Sequence, residues 1–298
     1  MRRPAVYVLA AATVTVLGLN WPIMSAGVDL VPPLWLASFR MAGAAAVIAI
    51  GLATKGELRR PDRADRPILL SVGLGRLGLV TALVFVALSW VPPGRSSIVV
   101  YTSALWTAPL AMVFLHERLT GLRVIGVSAG VLGIVLLLEP WTLDWGDTQL
   151  LLGLGMLLTA AVVNAASTVH IRGHRWNATP LELMPWQLAL AAAPITLLAL
   201  MGEGMPDVEW SPDTIGIVAY QIALGSAFGF WGLLTISRSL PAITANLLLM
   251  AVPVVGLLSS VVLVDEPLTP TVVCSLALVL TGVGLGIASD RRVVTAMP

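Results

Sequence analysis

The chain has 298 residues, of which 57% are hydrophobic and 11% charged, and its mean hydropathy is +0.92. A soluble domain carries about 25% charged residues, so this composition argues against a soluble enzyme, and a net charge of +1 leaves no basic footprint for nucleic acid. The single cysteine, Cys274, lies in an apolar run and permits no intrachain disulfide.

A membrane helix needs about 20 mostly apolar residues. Ten such runs are predicted: 5–26, 32–53, 67–90, 95–115, 121–139, 149–170, 180–202, 213–237, 241–264 and 269–288. They are called spans 1 to 10. Span 1 opens like a secretory leader (MRRPAVYVLAAATVTVLGL) but precedes no soluble domain, so it is read as uncleaved. It holds Asn20, Trp21 and Pro22. Span 2 carries Arg40 about eight residues from its start, or about 12 Å deep at 1.5 Å per residue. Span 3 carries Arg76 about nine residues in, or about 13 Å, within Gly73-Leu-Gly75-Arg76-Leu-Gly78. Span 4 has Tyr101, Trp106 and Pro109, and span 6 has Asn164. Span 7 has Trp186, Gln187 and Pro194, and span 8 has Tyr220, Gln221, Phe228 and Trp231. Span 9 has Asn246 and Pro253. A β-barrel would show alternating segments of about 10 residues instead.

The basic residues give a direction. Lys55, Arg59, Arg60, Arg63, Arg66, Arg118, Arg123, Arg172, Arg175 and Arg238 fall in the even-numbered gaps, and Arg2, Arg3, Arg291 and Arg292 at the ends; the odd-numbered gaps hold only Arg95, among ten acids. By the positive-inside rule both termini are cytoplasmic. Trp35, Trp90, Trp141, Trp145 and Trp210 fall at the predicted outer ends, as an interfacial belt does.

The chain says one thing twice. HERLT at 116–120 recurs as DEPLT at 265–269, an offset of 149 residues. At that offset Pro92 meets Pro241, Glu117 meets Glu266 and Gly133 meets Gly282. Two five-span repeats follow, 1–140 and 141–298, together one transmembrane domain. Five is odd, so the second copy enters from the opposite side. An all-α fold of ten helices in two inverted repeats is an architecture of secondary transporters, with the substrate site near the midplane.

The duplicated five-span unit, the Glu-x-Leu-Thr string, the glycine-rich fifth span, Asn20-Trp21-Pro22 and Ser38-Phe39-Arg40 resemble the EamA family of the drug/metabolite transporter superfamily. The resemblance covers essentially the whole chain, nearest the aromatic and neutral amino-acid exporter branch. That family has Trp-Gly where this chain has Trp21-Pro22. The resemblance implies a bacterial inner-membrane exporter of amino acids or similar metabolites.

Ionisable groups inside spans are costly and functional by default. Arg40 and Arg76 have no acid beside them in their spans and can meet a substrate carboxylate through paired hydrogen bonds. For Arg40 an equal alternative is snorkelling, or binding backbone carbonyls that a broken helix leaves free. Asn20, Trp21, Tyr101, Trp106, Asn164, Trp186, Gln187, Tyr220, Trp231 and Asn246 describe an aromatic pocket with amide donors, set against helix glue and core packing. Pro22, Pro109, Pro194 and Pro253 are expected hinges of alternating access.

Glu117 and Glu266 read first as caps, His170 and His174 lack a third metal ligand, and neither a metal nor a cofactor is expected. The partners expected are a small-molecule substrate and membrane lipid. The glycine patterns of spans 5 and 10 fit either repeat packing or a homodimer face. No span interior offers Asp or Glu, which predicts uncoupled facilitated export. The alternatives are a proton-coupled multidrug or metabolite exporter and, from other classes, an intramembrane enzyme or a sensor. No HExxH motif, no facing pair of intramembrane acids and no soluble output segment supports the last two.

Overall fold

The computed structural model describes residues 3–115, 121–138, 141, 146–174, 177–240, 245 and 248–295. All regular structure among them is helical. Eight helices are long and apolar enough to cross a membrane, and two shorter apolar ones, Val124–Leu138 and Ala251–Leu263, lie in spans 5 and 9. Many large apolar side chains point outward, among them Val8, Phe114, Met201 and Val262. In a bilayer that surface faces lipid and carries no solvation cost. Glu117 and Asn246 lie outside the described residues.

The helix starts follow from local chemistry. Helices begin at Pro33, Pro93, Pro180, Pro212 and Pro270, where the missing N–H would be unpaired anyway. Thr179 and Glu182 form a reciprocal capping box, and Asp147 accepts from the Leu150 N–H at 3.0 Å.

Pro22 lies within Arg3–Val28, Pro109 within Ser103–Leu115 and Pro194 within Pro180–Gly202, and these three helices run on uninterrupted. Pro253 lies in the first turn of Ala251–Leu263, just after a turn at Met250. Other irregularities lie away from the prolines. Span 3 is π-helical over Ser71–Leu79 and span 8 over Ala223–Phe228. The helix of span 4 breaks at Thr102, whose hydroxyl donates to the Val99 carbonyl at 2.5 Å. The two π segments align through Leu74-Gly75-Arg76 and Leu224-Gly225-Ser226. Such segments leave carbonyls outside the regular ladder and frequently mark functional positions.

The packing has its own regularity. Span 1 packs on spans 8 and 9, and span 6 on spans 3 and 4; span 2 packs on span 8, and span 3 on span 7. Spans 2 and 7, 4 and 9, and 5 and 10 also pair. Exchanging span n with span n + 5 maps this set onto itself. Spans 5 and 10 cross glycine on glycine. A Cβ at Gly126 would lie 2.6 Å from the Gly282 carbonyl oxygen, and one at Gly282 2.5 Å from that of Gly126. Gly126, Gly133 and Gly282 thus serve the packing of spans 5 and 10, since only backbone fits between the helices there.

Carboxylates tie the two halves together at helix starts. Glu203, after span 7, accepts from the backbone N–H of Leu34 (2.9 Å) and Trp35 (3.2 Å) at the head of span 2. Glu266, after span 9, accepts from Gly94 (2.7 Å) and Arg95 (3.1 Å) at the head of span 4. Asp65, before span 3, accepts from Asn177 (3.2 Å) and Ala178 (2.9 Å) ahead of span 7. Each negative charge meets unpaired amides at a positive helix end. Asp265 takes the left-handed conformation (φ 51°) that turns Glu266 back toward span 4, a region Asp tolerates better than most residues.

Candidate transport pathway

The sequence-predicted polar residues gather into two layers inside the bundle. One joins spans 1, 2 and 8. Arg40, 9% exposed, donates through Nε to Ser226 Oγ (2.6 Å), through Nη2 to the Gly225 carbonyl (3.2 Å) and through Nη1 to Met24 Sδ (2.9 Å). Its guanidinium also lies 5.6 Å from the Phe85 ring centre. Asn20 donates to the same Met24 sulfur at 3.3 Å. Gln221 is completely buried beside them, and Tyr220 donates to the Val16 carbonyl at 2.8 Å. Trp21 is buried against Gly256 of span 9. This layer is closed, and Arg40 holds a carbonyl of the span 8 π segment.

The other layer joins spans 3, 4, 6 and 7. Arg76 sits in the π segment of span 3 and is half-buried. Among the described residues it has neither an ion-pair nor a hydrogen-bond partner, and Tyr101 lies within electrostatic reach. A Cβ at Gly73 would lie 3.1 Å from the Gln187 carbonyl, and one at Gly75 3.3 Å from Ser167 Oγ, which places this segment against spans 7 and 6. Gln187 is buried. Asn164 donates to Ser103 Oγ at 3.1 Å, joining span 6 to span 4 beside the break. The Trp106 indole nitrogen is buried with no acceptor. Arg76, Tyr101, Trp106, Asn164 and Gln187 therefore form a donor-rich layer that lacks an anion.

Two aromatic candidates lie elsewhere. Trp186 donates to the Arg59 carbonyl at 2.8 Å, which anchors it to the loop after span 2. Trp231 is 38% exposed, beside Phe228 at 5.9 Å between ring centres. His170 meets Ser71 Oγ at 2.7 Å and His174 meets Asp65 at 3.3 Å, so the pair ties span 6 to span 3; no metal-binding cluster occurs among the described residues. Sequence reasoning missed Met24, Ser226 and Ser103, the partners of Arg40, Asn20 and Asn164. Aligning Leu74-Gly75-Arg76 with Leu224-Gly225-Ser226 would have flagged Ser226.

A model of the EamA-like transporter family matches the chain twice, over residues 4–139 and 151–287. The chain belongs to that family. Its relatives include a protein named a probable amino-acid metabolite efflux pump from Escherichia coli, 29% identical over 95% of each chain. A probable terminal-alkyne amino-acid exporter from Streptantibioticus cattleyicolor is 27% identical over 90% of this chain and 86% of that one. An uncharacterized transporter from Archaeoglobus fulgidus is 25% identical over 93% and 96%. One crystal structure shares the fold, with a TM-score of 0.66 at 23% identity, covering 97% of this chain and 99% of that one. This EamA-like chain is accordingly a multi-pass membrane protein of a transporter family, with lipid around its helices.

Proposed function

We propose that the chain exports neutral or aromatic amino acids, or small metabolites of the same carboxylate-bearing kind, from the cytoplasm by uncoupled alternating access. The observation that carries this reading is Arg76. A guanidinium inside the bundle, without an acid or a hydrogen-bond partner among the described residues, is free to meet the carboxylate of a passing substrate. Tyr101 and Trp106 stand in the same layer as walls for an apolar or aromatic side chain. The export direction draws support from the relatives named as an efflux pump and an exporter.

In this reading residues 1–140 and 141–298 are inverted repeats with both termini cytoplasmic. The mapping of packing partners under exchange of the halves supports the repeat relation, and the alternation of basic residues supports the orientation. The test is transport by purified protein in liposomes. Labelled L-phenylalanine or L-leucine should equilibrate with no imposed pH or sodium gradient. Arg76→Ala should lower the rate about ten- to a hundredfold, the range for losing a charged hydrogen bond of about 1.5–3 kcal/mol. Uphill movement under an imposed proton gradient would defeat the uncoupled mechanism. Undiminished transport by Arg76→Ala would defeat the carboxylate anchor.

A further inference from the structure

The layer around Arg40 is closed, yet its hydrogen bonding is unfinished. Gln221 is 0% exposed, and both its amide oxygen and its amide nitrogen lack any partner. Asn20, 4% exposed, has an unpartnered Oδ1. Two stronger donors, Arg40 Nη1 and Asn20 Nδ2, are both parked on the Met24 thioether, which is a weak acceptor. These groups converge. A Cβ built on Gly225 would run into Asn20 Oδ1 and stand 3.4 Å from Gln221 Oε1, while the Gly225 carbonyl is held by Arg40. Buried polar groups are nearly always satisfied, and a polar network serving structure alone would be too. This one has its donors and acceptors in place and lacks their counterpart.

The two halves differ in a telling way. Pro33-Leu34-Trp35-Leu36 and Phe39-Arg40 align with Pro180-Leu181-Glu182-Leu183 and Trp186-Gln187 at an offset of 147. Leu74-Gly75-Arg76 aligns with Leu224-Gly225-Ser226 at an offset of 150. Each interface between a second and a third span of opposite repeats thus carries one arginine and one glycine at a π segment. Arg76 is open, whereas Arg40 is folded onto the π segment facing it.

We infer that Arg40, Asn20 and Gln221 form a second substrate subsite, collapsed in this structure, that receives the zwitterionic head of an amino acid when span 8 moves away from span 2. The carboxylate replaces Met24 as acceptor for Arg40 Nη1 and Asn20 Nδ2 and gives Gln221 Nε2 its first acceptor. The ammonium takes Asn20 Oδ1 and Gln221 Oε1. Arg40 disfavours a lone cation there, and the paired amide oxygens disfavour a lone anion, so the site selects a zwitterion. Under the orientation above it lies nearer the external face. The substrate would pass from the Arg76 layer to the Arg40 layer on its way out. This inference rests on the amino-acid reading of the proposed function.

The test uses Gln221→Leu in liposomes sorted by orientation, with labelled L-phenylalanine offered to either face. Replacing an unsatisfied buried amide by an apolar group of similar size leaves the fold intact or firmer. A structural role therefore predicts unchanged transport. A subsite predicts an unchanged or raised melting temperature, a half-saturating concentration at least tenfold higher from the external face, and less than a twofold change from the cytoplasmic face. Asn20→Ala should show the same asymmetry and serves if Gln221→Leu fails to accumulate. No change at either face, or equal changes at both, would overturn the inference. If Arg76→Ala is impaired while Gln221→Leu is not, the outer subsite alone falls. If the unmodified protein does not move L-phenylalanine or L-leucine, the amino-acid reading falls with it.

Discussion

Replacing Gly282 by alanine tests the crossing of spans 5 and 10. The new Cβ would lie 2.5 Å from the Gly126 carbonyl oxygen, 2.9 Å from the Gly130 nitrogen and 3.2 Å from its Cα. A carbon and a carbonyl oxygen sit comfortably at about 3.3–3.6 Å, so the helices must part by close to an ångström there. All three obstacles are backbone, and no side-chain rotamer can absorb the clash. The expected cost is about 1–3 kcal/mol, the range for overpacking, and the upper half of it applies. Alanine also gains about 0.5–1 kcal/mol of helix preference over glycine, which offsets part of this. The net loss of about 1–2.5 kcal/mol corresponds to a fall of about 2–10 °C in apparent melting temperature for a chain of this size.

Gly286→Ala is the matched control. It lies one turn further along the same helix, and its Cβ would meet nothing within 4 Å. Only the helix-preference gain remains, so its melting temperature should hold or rise slightly. Thermal unfolding in detergent, followed by tryptophan fluorescence, reads both variants. Equal shifts for the two substitutions, or none for Gly282→Ala, would refute the backbone-on-backbone crossing.

Two further outcomes are expected. Burial pushes the Glu266 carboxyl above the ordinary glutamate range, although the Gly94 and Arg95 N–H groups and the Arg95 charge pull it down. The state that buries Glu266 therefore binds its proton more tightly than a state that exposes it. Its advantage is full below about 4.5, the ordinary glutamate value, and is lost as pH rises through the raised one. In a Cys274→Ser background, maleimide labelling of Ser97→Cys from outside should slow on acidification, and Glu266→Gln should abolish that dependence; a wild-type rate indifferent to pH would count against it. For orientation, a cysteine replacing Glu209 should label from outside and one replacing Arg60 should not; the reverse pattern would invert the topology.

The amino-acid sequence by itself determined where the helices lie and to which family the chain belongs. Each span is decided by the transfer free energy of its own 20 or so residues, and each start by local chemistry such as Pro180 with the Thr179 and Glu182 box. Those forces act within a few residues and are legible in order along the chain. The repeat of HERLT and DEPLT was legible for the same reason; Glu266 reads in sequence as a local cap, whereas it accepts from Gly94 and Arg95 at the head of span 4 and Thr269 caps the helix that follows. The partners were not legible. Arg40 and Arg76 look alike in sequence, at similar depth with no acid nearby. Only the tertiary structure gives the first Ser226, Gly225 and Met24 as partners and leaves the second open. Pro22, Pro109 and Pro194 lie within continuous helices and Pro253 just after a turn at Met250, while the backbone is also irregular at residues 71–79, 102 and 223–228. Helix rotation and crossing distance decide these matters, through contacts between residues more than a hundred positions apart. Whether a buried donor finds its acceptor depends on ångströms of interhelical placement, which no local pattern encodes.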